Sequence, residues 1–363
     1  MLSQSFAVIN ALEEGKCPWE MLAGLLNRDV DEVKAQFQAP EEDIWRLLYR
    51  LASAADGLRA KKPREYYTDL DRIIDLIDKS HNIVILLGAG GSVGPDFRSP
   101  GGLYDSIAKD GVFDDPCKVF DNQYFEEDPS IFWRYAHTIF PSANPQHSGS
   151  HIFIEMLEQK GKLLRVYSQN VDTLEKGIPD EKLVCVHGSW RECRCMQCGL
   201  VQSIEDLRPS VEQRVVPQCK QCGGPIKPGI VFFEQPTNLD EKQAFADAEQ
   251  ADLLIVIGTS LRVAPISELP DLMSSVPSIL INRAPVTTNF NAQFLGECDD
   301  IVQMLESELG WIENKRISSK DSVFFPPNNF VIESNSELGT RIIETSRNKF
   351  LATSFTIDVS DTE

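Results

Sequence analysis

Residues 83–99 of this chain are IVILLGAGGSVGPDFRS. The first five are apolar and predict a strand that is buried on both faces. Glycines directly after a strand let backbone amides approach a phosphate closely. The generic dinucleotide pattern places its third glycine at position 93, where this chain has Val93 and then Gly94, so the glycines alone are a weak signal. The proline, carboxylate, aromatic ring and guanidinium that follow suggest the wall of a ligand site.

Similar apolar runs recur along the chain and alternate with helical stretches. They are Ile83 to Leu87, Leu163 to Tyr167, Leu253 to Ile257 and Ile279 to Ile281. This alternation predicts an α/β fold, a Rossmann-like parallel sheet with helices on both faces. In such sheets the ligand crevice lies at the carboxyl ends of the strands. We therefore expect the functional residues directly after these runs.

Length, composition and charge limit the class of protein. The 363 residues, 42% of them hydrophobic, suffice for a soluble globular protein with a proper core. No apolar stretch of about eighteen residues occurs, and Glu13 and Glu14 lie where a signal peptide would be apolar, so we expect neither membrane insertion nor secretion. The net charge of −20 opposes binding to nucleic acid and favours basic partners such as a lysine-rich peptide, although excess acid could also serve solubility alone.

Two pairs of cysteines have the spacing of a zinc site. Two residues separate Cys195 from Cys198 and Cys219 from Cys222, and twenty residues lie between the pairs. Four thiolates at this spacing close a tetrahedral Zn²⁺ site without an open position for water, so the predicted ion is structural. A redox dithiol would instead give a single pair beside a βαβ unit. Cys193 could replace a ligand, but ordinary packing or partial exposure is the favoured interpretation. This use of cysteine fits a reducing compartment.

Two short polar segments carry side chains that could do chemistry. Gln169 to Asp172 follows one predicted strand, and His187 to Trp190 follows another. A histidine titrates near neutrality and can act as a general base, while an amide and a carboxylate can bind ribose hydroxyls and a carboxamide. A lone histidine is more often structural, and we give that interpretation to the other four: His81, His137, His147 and His151.

The order of these segments resembles the sirtuins, the NAD-dependent protein deacylases. That family has a Gly-Ala-Gly turn leading to Pro-Asp-Phe-Arg-Ser, then Gln-Asn-x-Asp, then His-Gly, with a zinc pair beginning eight residues after the histidine, where Cys195 lies. The resemblance covers about residues 80 to 312. It implies that His187 is the catalytic base toward an NAD ribose hydroxyl, that Asn170 positions the ribose or a water, and that Asp172 binds the nicotinamide carboxamide.

The resemblance also implies the remaining site residues and the reaction. NAD would be bound as a cosubstrate by Gly88, Ala89, Gly90, Ser92, Asp96, Phe97, Arg98, Gln169, Asn170, Asp172, Gly258, Thr259, Ser260, Asn282, Arg283 and Cys298. An acetyl-lysine peptide would add as a strand between Val231, Phe232 and Phe233 on one side and Val263 on the other. The expected products are nicotinamide, O-acetyl-ADP-ribose and deacetylated lysine.

The flanks of the core look like those of the nuclear class I sirtuins. We divide the chain into an N-terminal helical region at 1–79, a catalytic domain at 80–313 with the zinc module inserted at about 190–227, and a C-terminal regulatory tail at 314–363. In that subgroup a C-terminal segment pairs with the NAD-binding sheet, and the segment near Phe325 is the candidate here. The basic cluster at 59–64 is either a nuclear import signal or a solvated loop. We expect a nuclear protein, with the cytoplasm as a further location, that acts on histones or other nuclear proteins.

Three departures from the family pattern keep other functions open. Four residues separate Gly90 from Pro95 where the family usually has seven, Leu87 replaces a threonine, and Glu234 stands where a glycine is expected. The favoured function is NAD-dependent protein lysine deacetylation. The alternatives are a catalytically impaired, NAD-binding regulatory or interaction protein, and a mono-ADP-ribosyltransferase.

Overall fold

The computed structural model describes most of the chain around the predicted sheet. The described residues are 11, 16–26, 28–37, 39–41, 44–45, 47–48, 66–67, 69–92, 103–111, 113, 115–144, 146–312, 329–335 and 339–343. The expected cofactor contacts Asp96, Phe97 and Arg98 lie outside them, as do the basic cluster at 59–64 and the segment near Phe325.

The strands form one large and one small sheet. In chain order they are β1 (Ile83–Leu87), β2 (Leu163–Ser168), β3 (Leu183–Cys185), β4 (Gly188–Cys195), β5 (Val201–Gln202), β6 (Ile226–Ile230), β7 (Leu253–Ile257), β8 (Ser278–Asn282), β9 (Ala292–Leu295), β10 (Asn329–Asn335) and β11 (Gly339–Ile343). The large sheet has the order β11-β10-β9-β8-β7-β1-β2-β3, and the small one the order β5-β4-β6. In the large sheet every neighbouring pair is parallel except β10 with β11.

Helices cover both faces of the large sheet. In chain order, the α-helices of the described residues are α1 (Pro18–Leu26), α2 (Val30–Phe37), α3 (Leu70–Lys79), α4 (Leu103–Asp110), α5 (Asn122–Glu127), α6 (Pro129–Tyr135), α7 (Gly149–Gln159), α8 (Ile204–Glu212), α9 (Glu241–Gln250), α10 (Leu269–Leu272) and α11 (Cys298–Glu308). Side chains of β1 alternate between two cores, so that Ile85 packs with α3, α7 and α11 while Leu86 packs with α9 and α10. The predicted α/β fold, with a parallel sheet between two helical layers, is confirmed.

The small sheet is attached to the helical segment α4–α6 through a third core. This core is aromatic, and it includes Phe125, Phe132, Trp133, Trp190 and Phe232. The indole of Trp133 donates a hydrogen bond to the carbonyl of Ile226 in β6, 3.1 Å away. Cys193 is fully buried in the same core, which agrees with ordinary packing. The zinc module therefore packs against an aromatic layer beside the large sheet.

The two ends of the described chain add to this frame. Near the N-terminus, α1 and α2 pack with Ile44 and Leu48 in a separate small core. At the other end, β10 pairs in parallel with β9, so a C-terminal segment does extend the large sheet. It continues into an antiparallel hairpin with β11. Among the described residues, no helix combines the length and the apolar character needed to cross a membrane.

Candidate active site

Three predicted site segments meet at the carboxyl ends of β1, β2 and β7, the central strands of the sheet. The amide of Gly88 donates to the carbonyl of Ile257 at 2.8 Å, and the amide of Gln169 donates to the carbonyl of Leu87 at 2.9 Å. The amide of Gly90 donates to the carbonyl of Gly258, also at 2.8 Å. Residues far apart in sequence thus line one crevice at the topological position expected for a ligand in this type of fold.

The glycines in this crevice are required by the close approach of two loops. Gly258 has a φ of +66°, and a Cβ there would lie 2.0 Å from the amide nitrogen of Gly91. A Cβ on Gly88 would lie 2.6 Å from the carbonyl oxygen of Gly258. The amides of Gly88, Gly90 and Gly91 all donate to backbone carbonyls. These glycines therefore serve loop packing, and their amides are not free donors for a phosphate.

His187 lies between β3 and β4 with its two ring nitrogens in different environments. The carbonyl of Gln169 is 3.0 Å from Nδ1, and since a carbonyl only accepts, Nδ1 carries the proton. Nε2 is buried and has no hydrogen-bond partner among the described residues. Burial lowers the pKa of His187, and the bond to the Gln169 carbonyl only partly opposes that effect. The side chain is thus a neutral imidazole with an available lone pair on Nε2, the form that a general base needs.

Asn170 and Asp172 follow β2 and bind the loop that follows β1. The side-chain amide of Asn170 donates to the carbonyl of Gly88 at 3.2 Å. Asp172 Oδ2 accepts from the hydroxyl of Ser92 at 2.5 Å, and its Oδ1 accepts from the amide of Leu174 at 3.1 Å. The structure therefore brings four predicted site residues, Ser92, Asn170, Asp172 and His187, to one end of the crevice.

Gln169, like His187, carries a buried side-chain nitrogen without a hydrogen-bond partner among the described residues at this end of the crevice. Its Oε1 accepts from the hydroxyl of Thr259 at 3.1 Å. Its Nε2 is buried without a hydrogen-bond partner in the described part of the chain. Because an unpaired buried donor costs free energy, this amide is suited to an acceptor on a bound ligand.

The other predicted cofactor contacts continue along the same edge of the sheet. Ala89 and Ser260 are exposed, Asn282 ends β8, and Arg283 is held by Glu297 at 2.9 Å. Cys298 begins α11, and burial raises the pKa of its thiol to about 12, so the thiol is not reactive. From β2 to β9 the edge spans four strand spacings, about 19 Å. A crevice of this length suits an elongated ligand.

The predicted peptide contacts begin directly beside the histidine. The amide of Val231 donates to the carbonyl of His187 at 2.8 Å, and that of Phe233 donates to the carbonyl of Phe120 at 2.7 Å. The ring of Phe232 is buried in the aromatic core, so it supports this segment from below. Val263 is half-buried in the loop after β7. Glu234 has a φ of +70°, a backbone conformation that favours glycine.

The four predicted zinc ligands come together in the small sheet. The sulfurs of Cys195 and Cys222 are 3.4 Å apart, those of Cys198 and Cys219 are 3.6 Å apart, and all four lie within 4.8 Å of one another. Four sulfurs around one Zn²⁺ at the usual bond length would be about 3.8 Å apart. Hydrogen bonds from backbone amides lower the pKa of Cys195 to about 6 and also lower that of Cys219, so a thiolate is favoured at one cysteine of each pair. The sulfurs are thus positioned to hold one structural Zn²⁺.

Two buried groups next to Asp172 were not assigned to the site from the sequence. Glu175 and His151 each have a ligand atom within 4.8 Å of an Asp172 carboxylate oxygen and of each other. Burial raises the pKa of Glu175 and lowers that of His151. The three-residue spacing of Asp172 and Glu175 was the available signal in the sequence. The position of His151, which lies on α7, could not be read from it.

Comparisons with known proteins agree with this arrangement. Residues 88–265 match the model of the Sir2 family. The chain is 37% identical over 313 residues to "NAD-dependent deacetylase sir2D" of Dictyostelium discoideum, and the alignment covers 83% of this chain and 56% of that protein. It is 36% identical over 288 residues to "NAD-dependent protein deacetylase sirtuin-1" of Homo sapiens, and that alignment covers 75% of this chain and 38% of that protein. The chain thus spans about half the length, or less, of these curated relatives.

A solved structure has the same core. It is described as "Sir2-p53 peptide-NAD+", and it superposes with a TM-score of 0.58 at 28% identity over 67% of this chain and 100% of that chain. By that description, the neighbour is a Sir2 protein together with a p53 peptide and NAD+.

Proposed function

This chain belongs to the Sir2 family, and we propose that it is an NAD-dependent protein lysine deacetylase. The observation that carries the proposal is the state of His187. Its Nδ1 proton is used by the carbonyl of Gln169, so Nε2 is the nitrogen that can take a proton. NAD supplies the ribose carbon that receives the acetyl oxygen as nicotinamide leaves, and the ribose hydroxyl whose proton His187 removes.

The neighbouring side chains have complementary roles. Asp172 accepts hydrogen bonds at the end of the crevice and binds the carboxamide of nicotinamide. Asn170, held by Gly88, positions the ribose or the water that completes the reaction. The unpaired amide of Gln169 donates to the ligand in the same region. The remaining contacts at the ends of β7, β8 and β9 hold the rest of the dinucleotide.

The substrate is an acetylated lysine in an extended peptide. It adds as a strand between the segment Val231 to Phe233 and Val263, and this places the acetyl group near His187 because Val231 is bonded to the histidine's own carbonyl. The net charge of −20 favours basic peptides such as histone tails, and it disfavours direct contact with nucleic acid. A nuclear location, with cytoplasmic protein as well, fits such substrates.

A nicotinamide-release assay with an acetyl-lysine peptide tests the proposal. The wild type should release nicotinamide only when both NAD and acetylated peptide are present. His187→Gln, which removes the base, should lower the rate at least about a hundredfold. His137→Gln is the matched control because His137 is exposed and distant in sequence from the crevice. Release that is absent in the wild type, or equal in His187→Gln, would refute deacetylation.

The alternative functions give different signals in the same assay. A catalytically impaired family member would bind NAD, as seen in calorimetry, and release no nicotinamide. A mono-ADP-ribosyltransferase would release nicotinamide and leave labelled ADP-ribose covalently attached to a protein. Deacetylation instead yields deacetylated peptide and O-acetyl-ADP-ribose in equal amounts.

A further inference from the structure

A cluster of three potential ligand groups, the buried His151 and Glu175 and the half-buried Asp172, adjoins the crevice. One ring nitrogen of His151 and one carboxylate oxygen of each acidic residue lie within 4.8 Å of one another. His151 and Glu175 are each only 4% exposed. The groups come from α7 and from the loop after β2, so the tertiary structure alone brings them together. The four-cysteine site lies elsewhere, in the small sheet.

Hydrogen bonds fix which nitrogen of His151 is available. The hydroxyl of Ser148 donates its one proton to the carbonyl of Gly91, at 2.7 Å. It must therefore accept from Nδ1 of His151, also at 2.7 Å. Nε2 is then an unprotonated nitrogen, and it is buried with no hydrogen-bond partner among the described residues. A lone pair in this position needs a donor or a cation.

The two carboxylates are supplied only with neutral donors. Glu175 Oε1 accepts from the hydroxyl of Ser168, and Asp172 accepts from a hydroxyl and a backbone amide. The guanidinium of Arg191 binds Asp180 and the backbone carbonyl of Glu175. Neither carboxylate thus has an ion-pair partner in the described part of the chain. The guanidinium of Arg191 acts on Glu175 only from a distance, without an ion pair, so the buried Glu175 and the half-buried Asp172 together attract a further cation.

We propose that His151 Nε2, Asp172 and Glu175 form a binding site for one divalent first-row transition ion such as Mn²⁺. One imidazole and two carboxylates suit such ions, whereas the four-cysteine site selects zinc. Ligand bonds of about 2.1 Å put ligand atoms up to about 4.2 Å apart, so the observed cluster needs only small side-chain shifts. Three protein ligands leave further coordination positions for water.

The ion has a consequence for the crevice that, unlike ion binding itself, rests on the proposed function. A metal ion on the Asp172 carboxylate occupies lone pairs that would otherwise accept hydrogen bonds from the carboxamide of nicotinamide. Metal and NAD are therefore competitors, and a rise in the free ion weakens NAD binding. Reciprocally, NAD weakens binding of the ion by the same factor.

Titration with Mn²⁺ alone tests the site. The zinc-loaded protein is titrated, and free Mn²⁺ is followed by its electron paramagnetic resonance signal, which disappears on binding. We expect one Mn²⁺ per chain. Glu175→Gln, which keeps the acceptor for Ser168, and His151→Gln should each weaken binding at least about tenfold. His137→Gln, an exposed histidine, should bind as the wild type does.

Two results would overturn the site: no Mn²⁺ binding by the wild type, or unchanged binding by both ligand variants. Since Glu175→Gln and His151→Gln alter different elements, misfolding of one leaves the other as a test. Addition of NAD should raise the dissociation constant for Mn²⁺, and no change would overturn the competition. Mn²⁺ binding without any nicotinamide release would refute the proposed function and leave the metal site in place.

Discussion

Glu234 has a backbone conformation that its side chain disfavours, so its replacement by glycine should stabilise the protein. Its φ is +70°, and a residue with a Cβ pays about 1–2 kcal/mol in the left-handed region. Replacement by glycine removes this strain, but glycine also loses more conformational entropy on folding, and this offsets about 0.5–1 kcal/mol of the stabilisation. The side chain is exposed, so its removal costs little packing. The net expectation for Glu234→Gly is a gain of about 0.5–1 kcal/mol, or about 1 °C in Tm for a chain of this length.

Two control variants separate backbone strain from charge. Glu234→Gln removes the carboxylate and keeps the strained conformation, so its stability should match the wild type. Glu234→Asn should lie between, because asparagine tolerates the left-handed region better than glutamine does. The free energy of unfolding is measured by urea denaturation, with Tm as a second readout. If Glu234→Gly is no more stable than Glu234→Gln, the assignment of strain to this residue is wrong.

The remaining predictions concern His187, the zinc ligands and a buried ion pair. Burial lowers the pKa of His187, so the acid limb of kcat/KM should have its midpoint below pH 6.5, and a midpoint at or above that value would contradict a buried base. The same shift makes the free energy of unfolding fall as the pH drops from 6.5 toward the folded-state pKa, because the unfolded chain takes up the proton first. Substitution of Cys195 by serine (Cys195→Ser), or chelation, should remove one zinc ion per chain and unfold the zinc module together with the core beside it. Native mass spectrometry measures the bound zinc, and folded protein without zinc would exclude a structural ion. Asp247→Ala leaves the guanidinium of Arg165 without its buried carboxylate partner, which lies 2.7 Å away. The free energy of unfolding, measured by urea denaturation, should fall by about 3–5 kcal/mol. A decrease below about 1 kcal/mol would show that water replaces the ion pair.

Much of the site could be predicted because its parts are local in sequence. The zinc ligands form two pairs that are close in sequence. Each pair lies in a turn that is stabilised by hydrogen bonds from backbone amides to sulfur, such as that from Gln197 to Cys195. His187 was a candidate because it follows a short predicted strand, and strand ends converge in a parallel sheet, but its role as the base was implied by the resemblance to the sirtuins. Glu234 could be flagged only as a missing glycine, and the structure supplies the reason, since the backbone there has a positive φ.

Other features depended on contacts between distant segments. Helix α7 brings His151 beside Asp172, and no periodicity in the sequence indicates that contact. The glycines after β1 predicted amides directed at a phosphate, but those amides are bonded to the loop after β7 and to their own turn. Local pattern shows that glycine is needed at such a position, and only the fold shows what approaches it.

The parallel sheet, the four-cysteine zinc module and the order of the polar segments can all be predicted from the sequence. These follow from the burial of apolar runs and from short spacings, which act within a few residues of the chain. The chemistry of the site depends on the folded structure, which shows which nitrogen of His187 is available, which ionisable groups adjoin Asp172, and which backbone amides are already hydrogen-bonded. Those properties depend on hydrogen bonds and burial between segments tens of residues apart, and such contacts exist only once the strands have paired in register.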